Sequence, residues 1–85
     1  MLRLVEATSV SQLCNQLSSR EQDVLELMAE GRTNQAIGKA LFLTERTIEA
    51  HIHSIFLKLG LRPEPGDHRR VLAVLSYLRS GNGVP

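Results

Sequence analysis

The 85-residue chain has no tryptophan and a single cysteine, and its aromatic residues make up only 4% of the sequence. The lone Cys14 cannot form an internal disulfide or a thiol-based metal cluster, which agrees with a reducing compartment. No apolar run approaches the roughly 20 residues of a membrane-spanning helix, and the N-terminus lacks the features of a signal peptide. We therefore expect a cytoplasmic protein with no membrane partner.

The sequence also lacks the arrangements that catalysis requires. Its Ser, His and Cys side chains show no nucleophile context, and no glycine-rich loop is present that could cradle a phosphate group. His51 and His53 do not form a metal site, because residues two apart on a helix diverge by about 160°. We expect a protein that is not an enzyme and that needs no cofactor or metal.

What the chain does contain predicts one small globular domain, since 42% of its residues are hydrophobic and 22% are charged. The net charge of +1 is too small to indicate nucleic acid by itself, but the charge is unevenly distributed. Residues 1–31 carry two basic and five acidic side chains, whereas residues 32–62 carry five basic and two acidic ones. A phosphate-facing surface would leave this pattern, although so modest a contrast also arises by chance.

The first predicted helix begins with a capping box formed by Ser18 and Glu21, and Gly31 ends it. Its acidic residues, Glu21 among them, are expected to stay solvated. Its apolar side consists of Val24, Leu25, Leu27 and Met28. Thr33 then caps a shorter second helix, which runs through Ile37 to Leu41.

A third helix is predicted from its capping residue, Thr44, to Leu59, and Gly60 ends it. At about 100° per residue, one narrow stripe of this helix is apolar and is expected to face the core. The stripe consists of Ile48, Ile52, Ile55 and Leu59, with Phe56 beside it. The opposite, mixed side consists of Arg46, Glu49, Ala50, His53 and Leu57. Any function of this helix beyond packing is expected on the mixed side.

The remaining segments flank this unit. Residues 62–67 contain prolines and a glycine and forbid continuation of the third helix. Asp67 can cap a last helix from His68 to about Arg79. Residues 1–16 are predicted to form a leading linker or an extra helix, and residues 80–85 a frayed tail.

A short helix, a turn of about three residues and a longer capped helix form the helix-turn-helix arrangement. The second helix of such a unit fits the major groove of DNA, where the N-terminal half of that helix reaches base edges. The competing interpretation is a plain helical bundle, in which the capped helices only pack on one another. Spacing alone does not decide between the two.

Three ordered motifs lie between residues 17 and 60. They are Leu17, Ser18, Arg20 and Glu21; Gly31, Thr33, Asn34 and Ile37; and Thr47, Ile48, His51, Ile55, Lys58, Leu59 and Gly60. With these motifs, residues 17–79 resemble the LuxR-type (GerE-like) helix-turn-helix domain, the output domain of NarL/FixJ response regulators, in its actinobacterial-type variant. The resemblance implies an all-α fold of four helices.

The resemblance also implies a function. Members are sequence-specific regulators of transcription that bind duplex DNA, in two-component systems or quorum sensing, and usually follow a receiver or ligand-sensing domain. A receiver does not fit within 85 residues, so the sequence is either a fragment or a stand-alone member. The last helix commonly forms the dimer contact in the family, here through Val71, Leu72, Leu75 and Leu78. Alternatively the leucines are buried within the monomer, although Val71 and Val74 could fill the core without them.

The predicted DNA-binding residues lie at the start of the second helix and along the third. They are Thr33, Asn34, Gln35, Thr44, Arg46, Thr47, Glu49, Ala50, His53 and Lys58. Several have a simpler explanation. The threonines also serve as helix caps, Ala50 is a good helix former as well as a partner for a thymine methyl group, and His53, Arg46 and Lys58 could be merely solvated.

Glu49 departs from the family pattern, in which many members carry lysine. A carboxylate near phosphates lowers affinity, but it can accept a hydrogen bond from the amino group of cytosine and so read sequence. It can equally pair with Arg46 or His53 on the same side of the helix. The competing function is a protein-interaction module of the same fold that has lost DNA binding. A related alternative is the promoter-reading region of a sigma factor, which makes RNA polymerase a candidate partner.

Overall fold

The computed structural model describes residues 16–63 and 68–79, and these ranges contain four helices and no strand. The helices are α1 (Ser19–Ala29), α2 (Asn34–Leu41), α3 (Glu45–Lys58) and α4 (Arg69–Arg79). The predicted all-α class with four helices is therefore confirmed. The predictions for the leading segment with Cys14, for the Asp67 cap and for the tail lie outside the described residues.

Helix α1 begins and ends as its sequence predicts. The Glu21 amide donates to Ser18 Oγ at 3.1 Å, and the Ser18 amide donates back to Glu21 Oε1 at 2.9 Å, which completes the capping box. Gly31 follows the helix with a φ of 86°, a left-handed conformation that glycine adopts without a steric penalty.

Threonine caps start the next two helices. Thr33 Oγ1 accepts from the Ala36 amide at 3.2 Å, and Thr44 Oγ1 accepts from the Thr47 amide at 3.1 Å. Each cap satisfies one of the amides that a helix start leaves without an internal acceptor. The predicted beginnings of α2 and α3 are therefore confirmed.

The turn between α2 and α3 depends on a close backbone approach. Leu43 donates from its amide to the Gly38 carbonyl at 2.8 Å, and a Cβ atom at position 38 would lie 2.7 Å from the Leu43 carbonyl oxygen. Only glycine fits there. Phe42, the C-cap of α2, has a φ of 60° and is 93% exposed. The sequence had singled out neither residue, because the pattern does not reveal how closely two helices approach.

The core lies between α1 and α3, with α2 and α4 packed on both of them. It consists of Leu17, Val24, Leu25, Met28, Ile37, Ile48, Ile52, Ile55, Leu59, Ala73 and Tyr77. The predicted apolar stripe of α3 is therefore confirmed. None of the described helices is both long enough and apolar enough to cross a bilayer.

Helix α4 enters the core through other residues than expected. Ala73 and Tyr77, one turn apart, are buried, whereas Val71 is 55% exposed. The expectation that Val71 could help to fill the core was wrong, because its direction on α4 differs from that of the buried pair by more than a right angle. Val74 packs against the core as a half-buried residue, as expected. The side of α4 that remains uncovered is apolar.

Candidate nucleic-acid interface

The mixed side of α3 projects away from the core. Arg46, Glu49, Ala50 and His53 are all exposed, and Leu57 continues the same side with 66% of its surface accessible. We call Arg46, Glu49, Ala50 and His53 the outward face. It presents a cation, a carboxylate, a methyl group and an imidazole within about two helical turns. Such a set can offer hydrogen bonds of both kinds to a ligand that lies along the helix.

Glu49 is not paired with the neighbours that the sequence offered it. In the described ranges, the ion pairs join Arg20 to Asp23, Arg32 to Glu30, and Lys58 to Glu21. The simpler explanation of Glu49, an ion pair with Arg46 or His53, is therefore not realised in the structure. The carboxylate is left available to an outside donor.

The start of α2 carries three predicted DNA-binding residues in different surroundings. Thr33 and Gln35 are exposed, whereas Asn34 is half-buried. Asn34 Oδ1 accepts a hydrogen bond from Arg70 Nη1 at 2.8 Å, and the Arg32 carbonyl accepts one from Arg70 Nη2 at 2.7 Å. Sequence reasoning missed Arg70, since nothing in the spacing indicates that α4 reaches this turn.

The start of α3 is more self-contained. The hydroxyl groups of Thr44 and Thr47 lie 2.9 Å apart and share a hydrogen bond, in addition to the cap made by Thr44. Thr44 is exposed and Thr47 is half-buried. Both hydroxyl groups therefore already serve the helix start, and the one that accepts in their shared hydrogen bond keeps its own hydrogen to donate to a further partner.

Lys58 lies on a different side of α3 from the outward face. Its Nζ donates to Glu21 Oε1 at 2.8 Å, and Ser54 Oγ donates to Glu21 Oε2 at 2.6 Å. Glu21 is only 5% exposed, so the expectation that it stays solvated was wrong. The carboxylate completes the cap of α1 and at the same time fastens α1 to α3. A contact of Lys58 with DNA stays a prediction, and it would compete with this ion pair.

The surroundings of Glu21 also shift its pKa. Burial raises the pKa of this carboxyl group, but the hydrogen bonds from Lys58, from Ser54 and from the Ser18 amide, with the charge of Lys58, outweigh burial and lower the pKa from 4.5 to about 2. Glu21 is therefore ionised throughout the neutral range. No three His, Cys, Asp or Glu side chains within the described ranges come together as metal ligands.

Comparison with known proteins places this chain in a family. Residues 15–65 match the model of the GerE family, described as bacterial regulatory proteins, luxR family. The transcriptional regulatory protein DegU of Brevibacillus brevis is 34% identical over 65 residues, which cover 76% of this chain and 25% of DegU. No solved structure matches the chain significantly.

Two further relatives match the central part of the chain. The transcriptional regulatory protein LiaR of Bacillus subtilis (strain 168) is 49% identical over 45 residues, 53% of this chain and 21% of LiaR. The oxygen regulatory protein NreC of Staphylococcus aureus (strain JH9) is 45% identical over 49 residues, 58% of this chain and 23% of NreC. The chain thus spans about a quarter of the length of the curated relatives it matches. It belongs to the luxR family of bacterial regulatory proteins, and residues 15–65 form the helix-turn-helix domain of that family of transcription regulators.

Proposed function

We propose that this chain binds duplex DNA sequence-specifically, with the outward face of α3 in the major groove, and that it regulates transcription in the cytoplasm. The observation that carries the proposal is the outward face itself, which is exposed and unpaired on a helix whose opposite, apolar stripe is buried in the core. In a domain of this family, side chains that the fold does not use are the candidates for reading bases.

Each residue of the outward face has a proposed role. Arg46 donates to a phosphate or to a guanine edge, and Glu49 accepts from the amino group of cytosine. Ala50 contacts a thymine methyl group or lets the backbone approach the groove, and His53 reaches a phosphate or a base edge one turn later. The mixed charge gives selectivity at the cost of general affinity, because the carboxylate of Glu49 repels phosphates.

The capped first turns of α2 and α3 bind the DNA backbone. Thr33, Asn34 and Gln35 at the start of α2, and Thr44 and Thr47 at the start of α3, present amides and short polar side chains that suit phosphate oxygens. These contacts set the register of the protein on the duplex without reading its sequence. Lys58 adds a backbone contact when it leaves Glu21.

The first test is fluorescence anisotropy of the purified chain with a partly randomised pool of labelled duplexes, repeated over a range of salt concentrations. We expect some duplexes to be preferred. The logarithm of the binding constant should fall with the logarithm of the salt concentration, with a slope of about −0.9 for each phosphate neutralised. Absence of binding at low salt to any duplex would refute the proposal.

Glu49→Lys sharpens this test, with Glu26→Lys as the matched control. Both variants change the charge by the same amount, but Glu26 is exposed on α1, away from the outward face. A selective reader changes its preferred sequence in Glu49→Lys and keeps it in Glu26→Lys. If Glu49→Lys gains only general, salt-sensitive affinity, then sequence reading by Glu49 is wrong.

We further propose that the domain binds as a two-fold dimer through α4. Val71, Leu72, Leu75 and Leu78 remain 37–55% exposed, although their helix is packed on α1 and α3. A shallow apolar groove of about 200 Å³ lies beside them, lined by Met28, Arg70, Val71, Val74 and Leu75. Sedimentation should give a dimer that Leu75→Asp dissociates and that Leu57→Asp, a change of an exposed leucine on α3, leaves intact. A monomeric wild type, or loss of the dimer in both variants, would contradict this interface.

A protein-interaction module of the same fold is the second candidate. Two exposed apolar side chains favour it, since Phe42 is 93% exposed and Leu57 is 66% exposed. RNA polymerase is a candidate partner for such a surface. This function predicts a preformed dimer without DNA affinity at any salt concentration, so the anisotropy and sedimentation measurements together separate the two functions.

A further inference from the structure

Arg70, in the first turn of α4, reaches the segment where α2 begins. It donates from Nη1 to Asn34 Oδ1 at 2.8 Å and from Nη2 to the Arg32 carbonyl at 2.7 Å. The two acceptors lie on either side of Thr33, the cap of α2. Because the guanidinium group is always protonated and its donors form a rigid fork, both bonds are charge-assisted and directional. Arg70 therefore fixes both neighbours of the cap.

The helices that Arg70 connects share little direct packing. α2 packs on α1 and α3, and α4 packs on the same two helices. The side chain of Arg70 crosses the gap between them, while its neighbour Arg69 turns to the ring of Phe56, with its guanidinium carbon 4.7 Å from the ring centre. Two adjacent arginines thus serve different parts of the molecule.

The contact with Arg70 also decides which way the amide of Asn34 points. Arginine offers donors only, so the Asn34 oxygen must face it and the Asn34 NH₂ group is left to donate elsewhere. Thr33 Oγ1 is taken by the Ala36 amide, and the first amides of a helix have no acceptor within the helix. The start of α2 therefore presents donors, which is the polarity that a phosphate oxygen requires.

We infer that Arg70 is a positioning residue for phosphate binding by the first turn of α2, and that it acts through Asn34 and the Arg32 carbonyl rather than by touching DNA. The inference rests on the proposed DNA-binding function. Arg70→Lys keeps the positive charge but removes the two-pronged donor group, so the Asn34 amide can rotate and the turn before α2 can loosen. Binding then weakens while the sequence preference, read by α3, is retained.

The test compares Arg70→Lys with Arg69→Lys, its matched control, in which the adjacent arginine on α4 changes in the same way. Affinity for a preferred duplex is measured by anisotropy over a range of salt concentrations. We expect Arg70→Lys to weaken binding by about five- to tenfold with an unchanged salt slope and sequence preference, and Arg69→Lys to change it less than twofold. Thermal unfolding of each variant checks that the fold is intact.

A double-mutant cycle separates positioning from direct contact. In an Asn34→Ala background, Arg70→Lys should cost much less affinity than it does in the wild type, because the side chain that it orients is gone. Additive losses would overturn the inference. A salt slope reduced by about one in Arg70→Ala would also overturn it, since Arg70 would then neutralise a phosphate itself.

The Asn34 side-chain amide gives a readout that needs no DNA. In nitrogen-15 relaxation of the unbound protein, this NH₂ group should be rigid in the wild type and mobile in Arg70→Lys. A mobile amide in a wild type that binds DNA would refute the inference and leave the proposed function standing. A rigid amide in a wild type that binds no duplex would refute the phosphate-binding role together with the proposed function.

Discussion

On one side of α3, Ser54 and Lys58 both donate to the carboxylate of Glu21, whereas on the outward face Arg46 and Glu49 extend into solvent without an ion pair to each other. The two sides belong to one helix and draw on the same kinds of residue. They differ in what faces them: α1 presents a buried carboxylate on one side, and nothing in the described ranges covers the other.

This difference separates structural polar residues from available ones. A buried carboxylate is costly unless it is fully hydrogen-bonded, so in the unbound protein Ser54 and Lys58 stabilise the fold through Glu21. Exposed charges on the outward face cost the fold little and add little to its stability. Substitutions on the first side should therefore change stability, and substitutions on the outward face should change binding.

The largest effect is expected for Glu21→Ala. The change removes the return bond of the capping box and the acceptor of Ser54 and Lys58, which should lower the free energy of unfolding by about 3 kcal/mol. Urea unfolding measures it, with Glu26→Ala, an exposed glutamate on the same helix, as a control that should stay within about 0.5 kcal/mol. Equal losses in both variants would show that the hydrogen bonds to the Glu21 carboxylate do not stabilise the fold.

The pH dependence of stability follows from the same carboxylate. Because the pKa of Glu21 is lowered from 4.5 to about 2, its contribution is fully present above pH 4.5 and is lost as the pH falls from 4.5 towards 2. The loss is on the order of 3 kcal/mol. As the pH falls through this range, the free energy of unfolding should decrease more steeply in the wild type than in Glu21→Gln. Parallel curves would contradict the lowered pKa.

Arg46 and Lys58, two cations on different sides of α3, should respond differently to substitution by alanine, with smaller effects than those at Glu21. Arg46→Ala should weaken DNA binding by about fivefold and leave the free energy of unfolding within about 0.5 kcal/mol. Lys58→Ala should lower that free energy by about 1 kcal/mol, since it removes one hydrogen bond from a buried carboxylate. A salt slope reduced by about one in Lys58→Ala would agree with the proposed phosphate contact of Lys58, whereas an unchanged free energy of unfolding would contradict the division between the two sides.

The smallest effect concerns the turn before α3. Phe42 has a φ of 60°, which costs a bulky side chain about 1 kcal/mol, so Phe42→Gly should raise the free energy of unfolding by roughly 0.5 to 1 kcal/mol. Gly31→Ala is the opposite control, because Gly31 has a φ of 86° and no atom within 4 Å of an added Cβ. The free energy of unfolding of Gly31→Ala should be lower by about 1 kcal/mol. A less stable Phe42→Gly would mean that the exposed ring packs within the monomer.

The helices were predictable because their signals are local. Ser18, Thr33 and Thr44 each cap within three residues of themselves, and Gly31 and Gly60 supply the left-handed conformations that end helices. The apolar stripe of α3 was likewise predictable, since a single helix period decides it. Local chemistry therefore fixed where α1, α2 and α3 begin and which side of α3 faces inward.

Three features depended on packing between helices, and two of them join residues far apart in the sequence. The burial of Glu21 requires residues more than 30 positions later, and the contact between Asn34 and Arg70 spans 36 positions. The close approach at Gly38 likewise follows from how α2 and α3 meet. The capping box distinguishes Glu21 from Glu26 in the sequence, but no local pattern shows that Ser54 and Lys58 also reach the Glu21 carboxylate.

By itself the sequence determined the boundaries of the first three helices, the apolar side of α3 and the family, because caps, glycines and a helical period act over a few residues. Only the tertiary structure decided which polar side chains are already paired. Lys58 and Glu49 are both charged residues of one helix, but α1 brings a carboxylate to Lys58 and nothing described to Glu49. A charge is available for recognition when the fold leaves it without a partner, and that depends on packing between helices.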